Sequence, residues 1–176
     1  MTQTIKNVSP FSNQKRNTYV IEHITDELLR LLKEKELSEI SISELCKLAG
    51  VGRASFYRNF KNKEDVLRHY IHKLLSQWAK NESSKDLPLS ESLALLFRHF
   101  EKHKNFYSLL NERNLSFLIK EVILSFYGPK SDQTAEEAYG CAFVAYTLYG
   151  WIELWFQRGM QESSADILAM FKAHDL

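Results

Sequence analysis

The sequence predicts an all-α fold of about nine helices, on three observations. Apolar residues recur at helical spacing along nearly every long segment. Only 6 glycines and 3 prolines are spread over 176 residues. No run alternates apolar and polar residues as a half-buried strand would. Apolar residues make up 44% and charged residues 26%, a globular composition that excludes wholesale disorder. The polar start MTQTIKNVSPFSNQKRN lacks an apolar core, so no secretory signal is expected. The most apolar stretch, Ala138 to Ile152, is short of the ~20 residues that cross a bilayer, so no membrane partner is expected. Cys46 and Cys141 are far apart and form no CxxC pair, which points to a reducing cytoplasm.

Taken in order, residues 1–16 read as a frayed arm. Ile21, Ile24, Leu28, Leu31 and Leu32 mark one face of a first helix that should stop near Lys35. Ser41 and Glu44 form an S-x-x-E capping box with Ile40 and Leu45 around it, so a short second helix begins at Ile42. It ends at Gly50, where a left-handed residue is needed. A third helix runs from Arg53 to Phe60. Asn62 caps a fourth, with Glu64 and Asp65 in the first turn where the helix dipole favours acids. Its apolar face is Leu67, Tyr70, Ile71, Leu74, Leu75 and Trp78. The polar NESSKDLP segment reads as a linker.

Beyond the linker, Leu89, Leu93, Leu96, Phe97 and Phe100 make one stripe. Phe106, Leu109 and Leu110 mark a short helix, and Leu115, Leu118, Ile119, Val122, Ile123 and Phe126 make another stripe. Gly128-Pro129 breaks the chain. Thr134 and Glu137 form a second capping box that opens a long helix to about Arg158, closed by Gly159. Ser164 to Lys172 is the last helix.

Charge is unevenly distributed. Residues 1–80 carry 14 Lys and Arg against 9 Asp and Glu, and residues 81–176 carry 9 against 13. The basic front is the candidate for a polyanion. Within it, Ser43 to Phe60 holds two short helices joined by a glycine turn, a helix-turn-helix pattern. Leu45, Leu48, Ala49, Val51, Phe56 and Phe60 are expected to pack inward. Arg53, Ser55, Tyr57, Arg58 and Asn59 then face outward, with groups suited to phosphates and base edges. The spacing also suits a plain three-helix core whose arginines are only solvated.

The run ISELCKLAGVGRASFYRNFKNKEDVL resembles the DNA-binding segment of TetR-family transcriptional regulators. The shared elements are Ala49-Gly50-Val51, Tyr57-Arg58-Asn59-Phe60 and Lys63-Glu64. The resemblance covers residues 17–77 as a helix-turn-helix domain and leaves 78–176 as a helical dimerisation and ligand-binding domain. It implies a homodimer bound to double-stranded operator DNA, without cofactor or metal. It implies that Tyr57 meets a phosphate, that Lys63 lies beside the DNA backbone and that Ser43 is placed to meet a phosphate too. Arg53, Ala54, Ser55 and Asn59 would face the major groove, with Arg58 beside them. Gly52 stands where the family has Ser or Thr, so the third helix loses a cap worth a few tenths of a kcal/mol. Ala54 stands where Gly is frequent and Phe56 where Leu is frequent.

The resemblance also implies that the last two long helices pair with their copies across a two-fold axis. Gly150 would allow close approach, with Trp151, Trp155 and Phe156 as interface anchors. An effector cavity is implied in the same domain, and Phe97, Phe100, Phe117, Tyr127, Phe143 and Tyr146 are the aromatic candidates for its lining. The expected activity is repression, relieved by a small-molecule effector. His99 and His103, four residues apart on one helix, offer a metal-responsive alternative if a third ligand arrives. A protein-binding co-regulator that has lost operator binding is a second alternative, opposed by the retained Arg53, Tyr57, Arg58 and Lys63. No Gly-rich phosphate loop, HExxH or GxSxG occurs, so an enzyme is not expected.

Overall fold

A computed structural model describes residues 13–82 and 89–173. Among these residues the chain forms nine α-helices and one short 3-10 turn, with no strand. It divides into two compact units inside one helix, at Val66 and Leu67. The helix-turn-helix domain expected to end at residue 77 therefore closes as a compact unit eleven residues earlier. From Leu67 onward the buried side chains of that helix, Leu67, Ile71, Leu74 and Leu75, belong to the second unit.

In the first unit, α1 (Asn13–Leu32) packs against α2 (Ile42–Leu48) and α3 (Arg53–Asn59). Its core is Ile24, Leu28, Leu31 and Leu32 from α1, with Leu37, Ile40, Leu45, Cys46, Ala49, Phe56, Phe60 and Val66. α1 begins at Asn13, within the arm read as frayed, and residues 1–12 lie outside the described residues. Residues 15–19 of this helix are exposed. Leu48 departs from its expected inward place and is 49% exposed. The buried arc of α2 runs through Leu45, Cys46 and Ala49, so at 100° per residue Leu48 falls outside it.

The caps explain the short helices. The Ser41 hydroxyl accepts the Glu44 N–H at 3.1 Å, so the N-cap forms as read. The reciprocal half of the box does not, because the Glu44 carboxylate is held by the Lys35 ammonium at 2.6 Å. Gly50 ends α2 at φ +67°, with the Val51 N–H donating to Cys46 O at 3.0 Å across the turn.

The second unit contains the rest of α4 (Lys63–Glu82), then α5 (Leu89–Lys102), α6 (Lys104–Glu112), α7 (Phe117–Tyr127), α8 (Ala135–Gln157) and α9 (Ser164–Ala173). Residues 81 and 82 of the expected linker lie within α4, and 83–88 lie outside the described residues. α5 packs on α9 and α6, and α7 on α8. Phe97, Phe100, Tyr107, Trp155 and Phe156 form its aromatic centre, with Phe97 edge-on to Trp155 at 5.3 Å between ring centroids. The Thr134–Glu137 capping box forms with both bonds present. α6 closes on Asn114 at φ 55°, a left-handed position that asparagine tolerates and that the sequence reading did not single out.

Candidate nucleic-acid interface

The outward groups of the first unit depend on how α3 is seated. Phe56 and Phe60 are 0% and 2% exposed, and their rings lie 5.7 Å apart, so this side of the helix is anchored in the core. The 100° step between residues then turns Arg53, Ala54, Tyr57 and Arg58 outward, and all four are exposed. Ser55 and Asn59 are half-buried. The Asn59 amide donates to Ser55 O at 2.8 Å, which orients it along the helix. Tyr57 is 52% exposed and its ring meets Phe56 edge-on at 5.4 Å, so a phenol hydroxyl is presented on a rigid base. Ser43 is exposed in the first turn of α2. Gly52 is the N-cap of α3 and supplies no side-chain bond, as expected. Cys46 is buried beside this surface. Burial pushes its thiol up, against the opposing pull of Arg53, so it packs as a small apolar group.

Lys63 is placed differently from the role its resemblance implies. Its ammonium donates to the carbonyl of Leu37 and, at 2.5 Å, to that of Ile40. These carbonyls belong to the first residue and the C-cap of the 3-10 turn Leu37–Glu39, and the half-buried Lys63 ties them to the start of α4. Asn62 caps that same start, its side-chain oxygen accepting the Asp65 N–H at 2.8 Å.

The residues proposed for the second unit are not brought together. Phe97 and Phe100 are fully buried core residues. Phe117, Phe143 and Tyr146 are 43%, 62% and 52% exposed, and Tyr127 is half-buried. The six therefore do not line one cavity. Trp155 and Phe156 also point inward, at 1% and 3% exposed, and Trp151 packs on Phe171 of α9. The Trp155 indole N–H is satisfied within the chain by Glu162 O at 2.9 Å. Of the four proposed interface residues, Gly150 is exposed. The exposed apolar side of α8 is instead Tyr139, Phe143, Tyr146 and Leu154, with Gly150 among them. At 100° per residue these five fall within one narrow arc, opposite Ala145, Leu148, Ile152 and Trp155. The sequence reading missed this because α8 is apolar on nearly all faces, so its inner and outer sides look alike.

His99 and His103 lie with ring centroids 4.8 Å apart. His99 is buried and its Nε2 is 3.1 Å from the Tyr107 hydroxyl. Burial first, with His103 and Lys102 adding, pushes His99 down to about 4. Among the described residues no group of three or more His, Cys, Asp or Glu could hold a metal ion. No helix there is long and apolar enough to cross a membrane.

Residues 24–70 match the family model described as bacterial regulatory proteins, tetR family. The HTH-type transcriptional regulator AcrR of Shigella flexneri is 42% identical over 45 residues, 26% of this chain and 21% of that protein. The match thus spans about a fifth of the relative's length. Two solved structures share the fold over most of both chains. Lin0861 from Listeria innocua has a TM-score of 0.70 at 15% identity, covering 95% of this chain and 94% of its own. A TetR transcriptional regulator from Streptococcus agalactiae has 0.59 at 19% identity, covering 90% and 94%.

Proposed function

We propose that the chain is a TetR-family regulator, a homodimeric repressor that binds operator DNA through α3, a reading supported by the family match over residues 24–70. The observation that carries the reading is the outer face of α3. Arg53, Tyr57 and Arg58 are exposed together on a helix locked from behind by Phe56 and Phe60. Arginine forks suit guanine edges and phosphates, and a tyrosine hydroxyl suits a phosphate oxygen. One such helix reads few bases, so affinity requires two heads about 34–36 Å apart on one side of the duplex, or a multiple of that. The exposed stripe from Tyr139 to Leu154 supports pairing of a second copy along α8, because an apolar face of that length is costly in water.

The bound dimer would block promoter DNA, and a small apolar effector in the second unit would release it. Tyr127 is the half-buried member of the proposed lining set, with a phenol pushed up by burial. Coupling between effector and DNA would be reciprocal, at about 1–3 kcal/mol.

The test is Tyr57→Phe in the full chain, with duplexes selected from a random pool by the unaltered protein. Removal of a phosphate contact should weaken all sequences by a similar factor. Relaxed discrimination at one base pair, with affinity otherwise kept, would contradict the role of Tyr57. Absence of salt-sensitive duplex binding by the unaltered protein would remove the whole reading.

A further inference from the structure

Within the second unit, α4 and α5 border an open cleft of about 290 Å³. Leu74, Leu95 and the Trp78 ring give it an apolar wall, and Arg98, Lys102 and His103 give it a polar rim. Arg98 and Lys102 are exposed, His103 is half-buried, and no carboxylate lines the cleft. The acid next to Lys102 in sequence, Glu101, is turned to α9, where its carboxylate accepts the Ser164 N–H at 2.6 Å. The Trp78 indole N–H is buried and has no hydrogen-bond partner among the described residues. A buried donor without an acceptor is destabilising, so packing alone does not account for it. The dipole at the C-terminal end of α5 favours a cation such as Lys102, but it does not account for the orphan indole.

We infer that this cleft binds a small carboxylate with an apolar body, with Arg98 and Lys102 holding the anion and the Trp78 indole N–H adding a hydrogen bond. The donors decide the sign of the ligand. A guanidinium, an ammonium and an indole N–H all offer protons and no lone pair. A metal ion is repelled by the two cations, and His99 Nε2 already faces the Tyr107 hydroxyl at 3.1 Å. Burial first, and then the Lys102 charge, hold His103 below the ordinary histidine range, in keeping with a positive field at the rim. The cleft lies at the low end of the ~300–1,000 Å³ of small-molecule sites, so its ligand is small. Leu74, Leu95 and the Trp78 ring suit a short hydrocarbon or a single aromatic ring, which a bare inorganic anion lacks. The indole nitrogen is shielded from water, so it meets the carboxylate when the half-buried Trp78 ring turns toward the cleft. The site shares no residue with the aromatic set Phe97, Phe100, Phe117, Tyr127, Phe143 and Tyr146, and it does not depend on DNA binding.

The experiment titrates the full chain with benzoate, with its neutral isostere benzamide and with inorganic phosphate, by calorimetry and by NMR of the indole N–H resonances. Benzoate should bind saturably. Benzamide should bind about tenfold or more weakly, because it forfeits two charge-assisted contacts on an open rim. Phosphate should also bind more weakly than benzoate. The Arg98→Gln, Lys102→Gln variant alters exposed side chains only, so it should keep the thermal melt of the unaltered protein and lose about tenfold or more in benzoate affinity. Benzoate should move one indole N–H resonance downfield, and that resonance should be the one missing from Trp78→Phe. If Trp78→Phe fails to fold, the same shift should be absent when benzoate is added to the Arg98→Gln, Lys102→Gln variant. Equal binding of benzoate and benzamide overturns the anion site, and equal binding of phosphate and benzoate overturns the apolar body. Undiminished affinity in the double glutamine variant, a benzoate shift confined to the other indoles, or no saturable benzoate binding at millimolar concentration overturns the proposal. None of these outcomes bears on duplex binding, so the operator reading stands or falls by its own test.

Discussion

Replacing Lys63 with methionine keeps the aliphatic stem and deletes an ammonium that serves two carbonyls. Those acceptors, Leu37 O and Ile40 O, belong to the first residue and the C-cap of the 3-10 turn between α1 and α2. A hydrogen bond from a charged donor contributes ~1.5–3 kcal/mol. The group is half-buried, so water recovers part of each bond, and the expected loss is about 2 kcal/mol. At roughly 2–4 °C per kcal/mol for a chain of this size, Tm should fall by about 4–8 °C. The assay is a thermal melt run beside the salt dependence of duplex binding. A structural clip predicts the lower Tm and an unchanged slope of log K against log salt. A phosphate ligand predicts a slope reduced by about 0.9 with little change in Tm. The second pattern would refute the reading of Lys63 as a clip and restore the role its resemblance implies.

Trp155→Ala should destabilise the second unit by about 3–5 kcal/mol in denaturant titration, because Trp155 is 1% exposed among Phe97 and Phe156. Phe143→Glu, at a position 62% exposed, should leave that stability nearly unchanged and dissociate the dimer proposed above in sedimentation equilibrium. A Phe143→Glu protein that remained dimeric would move the interface elsewhere. His99 supplies a pH dependence. The unfolded histidine takes up a proton near pH 6.5, whereas burial holds the folded one unprotonated until about 4. Stability is therefore complete above pH 6.5 and declines as pH falls toward 4, by up to about 1.4 kcal/mol per unit. His99→Gln should flatten that decline, leaving a smaller slope from His103, which burial also lowers. Parallel curves for the variant and the unaltered protein would show that His99 is not the group responsible.

Local signals in the chain determined much of this protein. The S-x-x-E and T-x-x-E starts, the left-handed Gly50 and Gly159, and the 3.6-residue apolar spacing each act over a few residues, so helices and caps were legible without tertiary contacts. The outward set Arg53, Tyr57 and Arg58 was legible for the same reason. Two buried phenylalanines four residues apart set the rotation of a short helix, and everything opposite them must face out. Tertiary structure decided what periodicity leaves degenerate. α8 is apolar on both sides, so only packing against the aromatics of α5 and α6 could send Trp155 and Phe156 inward and leave Tyr139, Phe143, Tyr146 and Leu154 outside. The partner of a long polar side chain is equally nonlocal. Glu44 answers Lys35 rather than its own helix start, and Lys63 reaches carbonyls 26 and 23 residues back. Such choices turn on which groups the folded backbone brings within about 3 Å, a distance that no spacing along the chain encodes.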